Sequence, residues 1–223
     1  MIPPLTIVDP PRVLRLGDPG VAGRGGAAIW DLDGTLTRTD TLVPFLRRVA
    51  GTAAVFRALA VGTAREMPHR DAVKALVLQR LLGGRDLAEV DRVARRYAER
   101  LMAAQVRADS LHQWLWHRRN QHRMVIASAS PGLYVRHLGR LLGADEVICT
   151  EMAVVNGRLT GAIAGGNCRG AEKARRVRAY LAARPAGQVW AYADGEVDRP
   201  LLELADVGVR VRPYRRIRTG EAR

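Results

Sequence analysis

Lysine is almost missing from this chain: of 36 basic residues only Lys74 and Lys173 are lysines, and the others are arginines. So one-sided a use of arginine has the look of a coding bias spread over a genome. The formal net charge of +14 therefore loses weight as a sign of a nucleic-acid or anionic-surface partner. The arginines are also scattered, in short clusters at Arg95-Arg96, Arg118-Arg119 and Arg175-Arg176 and from Arg210 to Arg218. Scattered charge suits a solvated surface better than a binding stripe. Cysteine is scarce too. Cys149 and Cys168 have no metal-type spacing, which argues against a zinc module or a disulfide scaffold and fits a reduced, cytoplasmic setting. No stretch approaches the roughly 18 apolar residues that spanning requires, and no basic segment followed by an apolar one opens the sequence. A soluble chain without stable membrane insertion is expected. Disorder is excluded for the bulk of it, because 48% of the residues are hydrophobic and 26% charged.

From Gly26 onward strand-like and helix-like segments alternate, which predicts an α/β fold: a Rossmann-like parallel sheet with helices on both faces. Strands are expected at residues 27–31, 123–128, 146–150, 188–193 and 207–211. Residues 32–122 carry no strand signal and are too periodic for a loop. Asp71 can cap a helix that stops at Gly83-Gly84, and Asp86 with Glu89 forms a capping-box pattern before the stripe Leu87, Val90, Val93, Tyr97 and Leu101. This predicts an inserted α-helical cap over 38–106, with the α/β core made of 26–37 and 107–213. A helix near 107–121 leads back to the sheet, and the cap would serve as a lid over the first strand's end. Asn156-Gly157 between short alternating runs predicts a hairpin. Residues 1–25, rich in proline and glycine, and 214–223, rich in arginine, read as tails.

Chemistry concentrates at the ends of the predicted strands. In "AAIWDLDGTLTRTDT" Asp31 and Asp33 stand two apart directly after a buried strand, so like charges share one side. Such a pair is tolerated when a cation sits between the carboxylates or when one of them holds a proton. A helix-loop-helix calcium site does not fit, since Leu36 and Leu42 stand where glycine and glutamate are needed. The second strand ends in "VIASASPG", with Ser128 at its carboxyl end and Ser130-Pro131 reading as the cap and first position of the next helix, a combination that suits an anion. Lys173 falls in the first turn of a helix, and its survival in a chain that otherwise prefers arginine suggests that a compact ammonium is needed. "QVWAYADGEVDRP" repeats the opening logic with Asp194-Gly195 and Asp198. In open α/β sheets the ligand crevice lies outside the carboxyl ends of the strands.

The ordered set "DLDGTL", "ASAS", Lys173 and "DGEVD", with "LTRTDTLVPF", "ASASPGLYVRHLGRLLGADEVICTEM" and "NGRLTGAIAGGNCRGAEK", resembles the haloacid dehalogenase superfamily, in its phosphoserine-phosphatase-like branch, subfamily IB. The resemblance runs from about Gly26 to Pro213. It implies a Mg²⁺-dependent phosphatase that hydrolyses a small-molecule phosphate ester through an aspartyl-phosphate. Asp31 would be the nucleophile, and Asp33 the acid that protonates the leaving oxygen and later activates water. Asp31, the backbone carbonyl of Asp33 and Asp194 would hold Mg²⁺, with Asp198 in support. Ser128, the N–H of Ala129 and Lys173 would bind the phosphoryl oxygens.

The chain departs from the phosphoserine-specific pattern at the substrate end. Asp40 stands where a longer acidic residue binds the substrate amine, and Leu78 where an arginine binds its carboxylate. Lys74, one helical turn earlier, is the candidate replacement, and Val197 takes the place of an asparagine. His112, His117 and His122 recur every five positions and are expected to scatter around a helix, while Trp114 and Trp116 read as core or core-edge residues. No specific nucleic acid is expected as partner, and the chain should be a monomer or homodimer. Two alternative readings are a lipid phosphate phosphatase at a membrane surface and a basic nucleic-acid-binding protein with a vestigial site.

Overall fold

The computed structural model describes residues 25–64 and 70–212. Both expected tails lie outside this range, apart from Gly25. Strand β1 (Ala27–Trp30) leads through a wide turn, Leu32–Leu36, into four helices: α1 (Leu42–Ala50), α2 (Thr52–Ala64), α3 (Arg70–Leu82) and α4 (Leu87–Ala104). The chain returns through α5 (Ala108–Arg119) to β2 (Arg123–Pro131), α6 (Gly132–Leu142), β3 (Glu146–Val155) and β4 (Arg158–Ala164). It ends with α7 (Ala171–Ala183), β5 (Val189–Ala193), α8 (Arg199–Leu204) and β6 (Val207–Arg210). The sheet order is β4-β3-β2-β1-β5-β6, parallel except for the antiparallel β3-β4 hairpin that turns at Asn156-Gly157.

Alternation along β1 builds two cores. Ala28 and Trp30 face a large cluster with Trp114 of α5 and Tyr134, Val135 and Leu138 of α6. Ala27 and Ile29 face the opposite way, toward Val177 of α7 and Leu201 of α8. Helices thus cover both faces, as expected for a parallel sheet whose strands are apolar on both sides. The first cluster continues into the four inserted helices, taking in Phe45, Leu46, Leu78, Leu82, Tyr97 and Leu101. The rings of Phe45, Tyr97 and Tyr134 pack with centroids 4.7–5.6 Å apart and carry this contact from α1 and α4 to α6. The β3-β4 hairpin also grips the turn between α3 and α4, through Gly84 N–H to Leu159 O at 2.8 Å and Leu87 N–H to Gly157 O at 2.9 Å. Among the described residues no helix is long and apolar enough to cross a membrane.

Local signals hold where they are self-contained. Asp86 caps α4 by accepting from the N–H groups of Ala88 and Glu89, and α3 stops at Gly83-Gly84, where Gly84 has φ +78°. Others are overridden. The helix of Asp71 already includes Arg70, and the Asp71 carboxylate instead accepts from Asn167 Nδ2 at 2.9 Å. Strand β2 runs on to Pro131, so Ser130 does not cap α6. The expected scatter of histidines also fails for two of them: α5 ends at Arg119, Gln121 turns the chain at φ +57°, and His122 folds back with its Nδ1 2.8 Å from that of His117. His117 Nε2 meets the Tyr192 hydroxyl at 2.7 Å, and burial pushes this imidazole down to about 3.

Trp30 is wholly buried, stacked on Tyr192 at 3.8 Å, and its Nε1–H finds no hydrogen-bond partner. Trp30→Ala should cost about 3–5 kcal/mol through the cavity it leaves. Trp30→Phe should cost within about 1 kcal/mol, because loss of an unpaired buried N–H offsets part of the lost contact. Urea-denaturation midpoints of the two variants check the pair of values.

Candidate active site

The register of the central strands gathers most of the sequence-derived site. Trp30 pairs with Ile126 on β2 and with Tyr192 on β5. One or two residues further on, just past the last of these β1 pairings, stand Asp31, Ser128 and Asp194, with Ser128 still inside β2. The strand order reverses between β1 and β5, the place where an open sheet leaves its crevice.

Lys173 reaches this crevice from the first turn of α7. Its Nζ donates to Asp31 Oδ1 at 2.6 Å and lies 2.8 Å from Asp198 Oδ1, with all three side chains buried. Burial works to lower the Lys173 ammonium, but the carboxylates of Asp31 and Asp198 outweigh it and hold it above the usual lysine range. Burial in turn pushes the Asp31 carboxyl up to about 7, with Lys173 pulling against it and the like charges of Asp198 and Asp33 adding to it. The second oxygen of Asp31 accepts from Thr35 Oγ1 at 3.2 Å, which fixes the plane of the carboxylate.

Asp33 is turned elsewhere. Its Oδ1 accepts from the Thr41 N–H at 2.8 Å and the Thr41 hydroxyl at 2.6 Å, and its Oδ2 from the Ser130 hydroxyl at 2.7 Å. Burial raises its pKa, the charge of Asp40 adds to this, and the bonds from Thr41 and Ser130 oppose it. A hydroxyl can accept as well as donate, so the Ser130 contact survives a proton on Asp33. Gly34 sits at φ +80°, and a Cβ there would come within 2.2 Å of Asp194 Oδ2. The glycine of the motif therefore permits both the left-handed turn and the close approach of Asp194. Burial raises the Asp194 carboxyl, with the charge of Asp198 in the same direction.

Asp40 accepts from the Leu42 N–H at 2.9 Å and is exposed at the start of α1. Lys74 extends from α3 to the end of β2, donating to Ala129 O at 2.6 Å and Asn167 Oδ1 at 2.5 Å, and burial pushes it down to about 8. Leu78 belongs to the buried core. Val197, part exposed, packs by Gly170 at the start of α7.

Several residues that support the site escaped the sequence reading. Arg107 is buried, clamps Asp109 with two nitrogens, and donates to Gly34 O and Arg212 O, both at 2.8 Å. Ser110 Oγ donates to Thr35 O at 2.6 Å, so the start of α5 braces the turn that carries Asp33 and Gly34. Thr150 Oγ1 bonds Ala129 O at 2.6 Å and Asn167 Oδ1 at 3.0 Å, ordering the loop before α7. Their partners at Gly34, Thr35 and Ala129 lie far away along the chain, so no local pattern around Arg107, Ser110 or Thr150 signals these pairings.

Three carboxylates, Asp31, Asp194 and Asp198, thus interact with one ammonium, and Asp198 Oδ1, despite its ion pair, has no aligned hydrogen bond. An excess of acid over base, with a buried unsatisfied oxygen on Asp198, suits a hard divalent cation. Among the described residues no three acidic, histidine or cysteine side chains form a ready ligand set, so backbone and water oxygens would have to complete the shell. Lys173→Met leaves Asp31 and Asp198 facing each other without their cation. It should cost about 3–5 kcal/mol, read from the denaturation midpoint in metal-free buffer.

Comparison with known proteins follows the same line. The family model for haloacid dehalogenase-like hydrolases matches residues 28–203. Protein CicA of Caulobacter vibrioides is 34% identical over 182 residues, covering 79% of this chain and 82% of its own. A Streptomyces coelicolor protein named phosphoserine phosphatase is 29% identical over 183 residues, 81% of this chain but 42% of that protein. A solved structure of a probable phosphoserine phosphatase from Vibrio cholerae shares the fold, with TM-score 0.63 at 17% identity over 82% of this chain and 55% of that one.

Proposed function

Because the chain belongs to the haloacid dehalogenase-like hydrolase family, we propose that it hydrolyses a small-molecule phosphomonoester, with Asp31 as nucleophile. The observation that carries this reading is the Asp31 carboxylate held at 2.6 Å by a buried lysine at the carboxyl end of the central strand. Phosphoryl transfer asks mainly for alignment and charge neutralisation, and this arrangement offers both. Lys173 and Thr35 fix the Asp31 carboxylate for in-line attack on phosphorus. Lys173, the Ser128 hydroxyl and the Ala129 N–H receive the phosphoryl oxygens.

A bond forms between an Asp31 oxygen and phosphorus as the ester P–O bond breaks, and Asp33 delivers its proton to the departing alcohol oxygen. Asp33 then takes a proton from water, which attacks phosphorus, frees Asp31 and releases inorganic phosphate. Asp31, the Asp33 carbonyl and Asp194, with Asp198 in support, are the groups proposed to hold Mg²⁺, which when bound supplies charge neutralisation at the phosphoryl group. The inserted helices over 38–106 are proposed to act as a cap domain on the 26–37 and 107–213 core.

The substrate is proposed to differ from the phosphoserine type. The position that would need an arginine is Leu78, packed in the core, which favours a substrate without a carboxylate clamped there. Lys74, close to Ala129 O, and Asp40 are the proposed substrate contacts of the cap.

Asp31→Asn should lower turnover on the order of 10³-fold or more while the thermal unfolding midpoint is kept, since the amide retains size and removes a buried charge. Phosphate release and a melting curve on the same preparation test this, and an active, folded variant removes Asp31 from the role. Wild-type protein tested on a panel of phosphomonoesters should release phosphate with added Mg²⁺ and fall to background after EDTA. Equal rates in both conditions would overturn the metal assignment.

A further inference from the structure

The chain crosses between the sheet and the inserted helices at two adjacent places. Thr37 bridges Val106 there, and the Arg38 N–H bonds Gln105 O at 2.9 Å. Beside these crossings, between α1 and α4, opens a cavity of about 290 Å³ lined by Asp40, Thr41, Arg48, Tyr97, Arg100 and Gln105 among others. None of Asp31, Ser128, Lys173 or Asp194 lines it, so it lies apart from the phosphoryl crevice and shares only Asp40 with the proposed substrate contacts.

Its chemistry is that of an anion site with an apolar floor. The exposed Arg48 guanidinium lies 4.9 Å above the Tyr97 ring and donates to Pro44 O of its own helix at 3.1 Å, which leans it over the ring. Arg100 follows Tyr97 three positions along α4, on the same side of the helix. Two guanidiniums and one carboxylate, Asp40, line it, which leaves a net positive charge beside the Tyr97 ring and Leu101. The same lining touches the catalytic loop. Thr41 lines the cavity while both its N–H and its hydroxyl hold Asp33, and the Tyr97 hydroxyl donates to Thr41 O at 2.7 Å.

We propose that this cavity binds a small organic anion, a carboxylate or phosphate on an apolar body, and that its occupancy changes turnover through Tyr97 and Thr41 acting on Asp33. A ligand that prefers one arrangement of Arg48 and Tyr97 shifts the population in which Thr41 orients the Asp33 carboxyl. The binding claim stands on the cavity alone, whereas the effect on turnover rests on the acid role proposed for Asp33.

Benzoate is a suitable probe, since it has one carboxylate, an apolar ring and no phosphorus. Calorimetric titration of the full chain should show one binding event, weakened about tenfold or more in Arg48→Ala and in Arg100→Ala. Saturating inorganic phosphate, a ligand for the other crevice, should leave benzoate binding unchanged. With p-nitrophenyl phosphate as substrate, saturating benzoate should change kcat about fivefold without raising KM, and Arg100→Ala should abolish that response. No binding, equal binding by both variants, or competition with phosphate overturns the site. Binding without any change in kcat overturns the coupling. If the chain hydrolyses no phosphomonoester at all, the titrations still decide the cavity, so failure of the enzymatic reading and failure of the site are told apart.

Discussion

The contact of the Lys173 ammonium with Asp31 at 2.6 Å and Asp198 at 2.8 Å, with all three groups buried, is the constraint around which the carboxyl end of the sheet is arranged. Neither carboxylate is easily accommodated there without the ammonium, and the ammonium is not easily accommodated without them, because each charge alone would carry an unpaid desolvation cost of several kcal/mol. The loop before α7 has to deliver Lys173 to β1. Thr150, Asn167 and the clasp of Arg176 on Cys149 O and Gly165 O hold that loop against β3. Even so, burial lifts Asp31 and Asp194, and the charge of Asp198 adds to both.

A second dependence joins the inserted helices to this centre. Asp33 takes two of its three hydrogen bonds from Thr41, at the start of α1, and the third from Ser130 on β2. Thr41 is itself held by the hydroxyls of Tyr97 and Tyr134, which come from α4 and α6. The orientation of the proposed acid is therefore set by packing between Phe45, Tyr97 and Tyr134. A shift of α1 or α4 relative to α6 would reach Asp33 before it reached Asp31. Lys74 makes a similar tie from α3 to Ala129 O and Asn167. The same few hydrogen bonds thus tie these helices to the crevice.

Much of the architecture was legible in the linear pattern. Strands buried on both faces read as short apolar runs, and all five expected strands are present, with ends moved by a few residues. The β3 strand runs on to Val155 because the Asn156-Gly157 turn pairs it with β4, an extension that depends on a partner rather than on its own residues. The N-cap at Asp86 forms because its donors, the Ala88 and Glu89 N–H groups, lie within three residues. The cap expected at Ser130 does not form, since β2 pairing with Thr150 carries the strand on to Pro131 and Asp33 claims the hydroxyl. His117 and His122 meet for a similar reason: the helix ends before the periodicity that would separate them can act.

By itself the sequence determined the strands of the sheet and the places at their ends where carboxylates, a hydroxyl and an ammonium would stand, while the kind of chemistry came from resemblance to a family. The strands and the placement follow from side-chain alternation and from spacing along the backbone, both of which are local. Only the tertiary structure decided which partner each group took: Asp31 with Lys173, Asp33 with Thr41 and Ser130, Lys74 with Asn167, and Arg107 with the loop around Gly34. These choices join residues up to 142 positions apart. They are fixed by how the helices pack on the sheet, which no short stretch of sequence encodes.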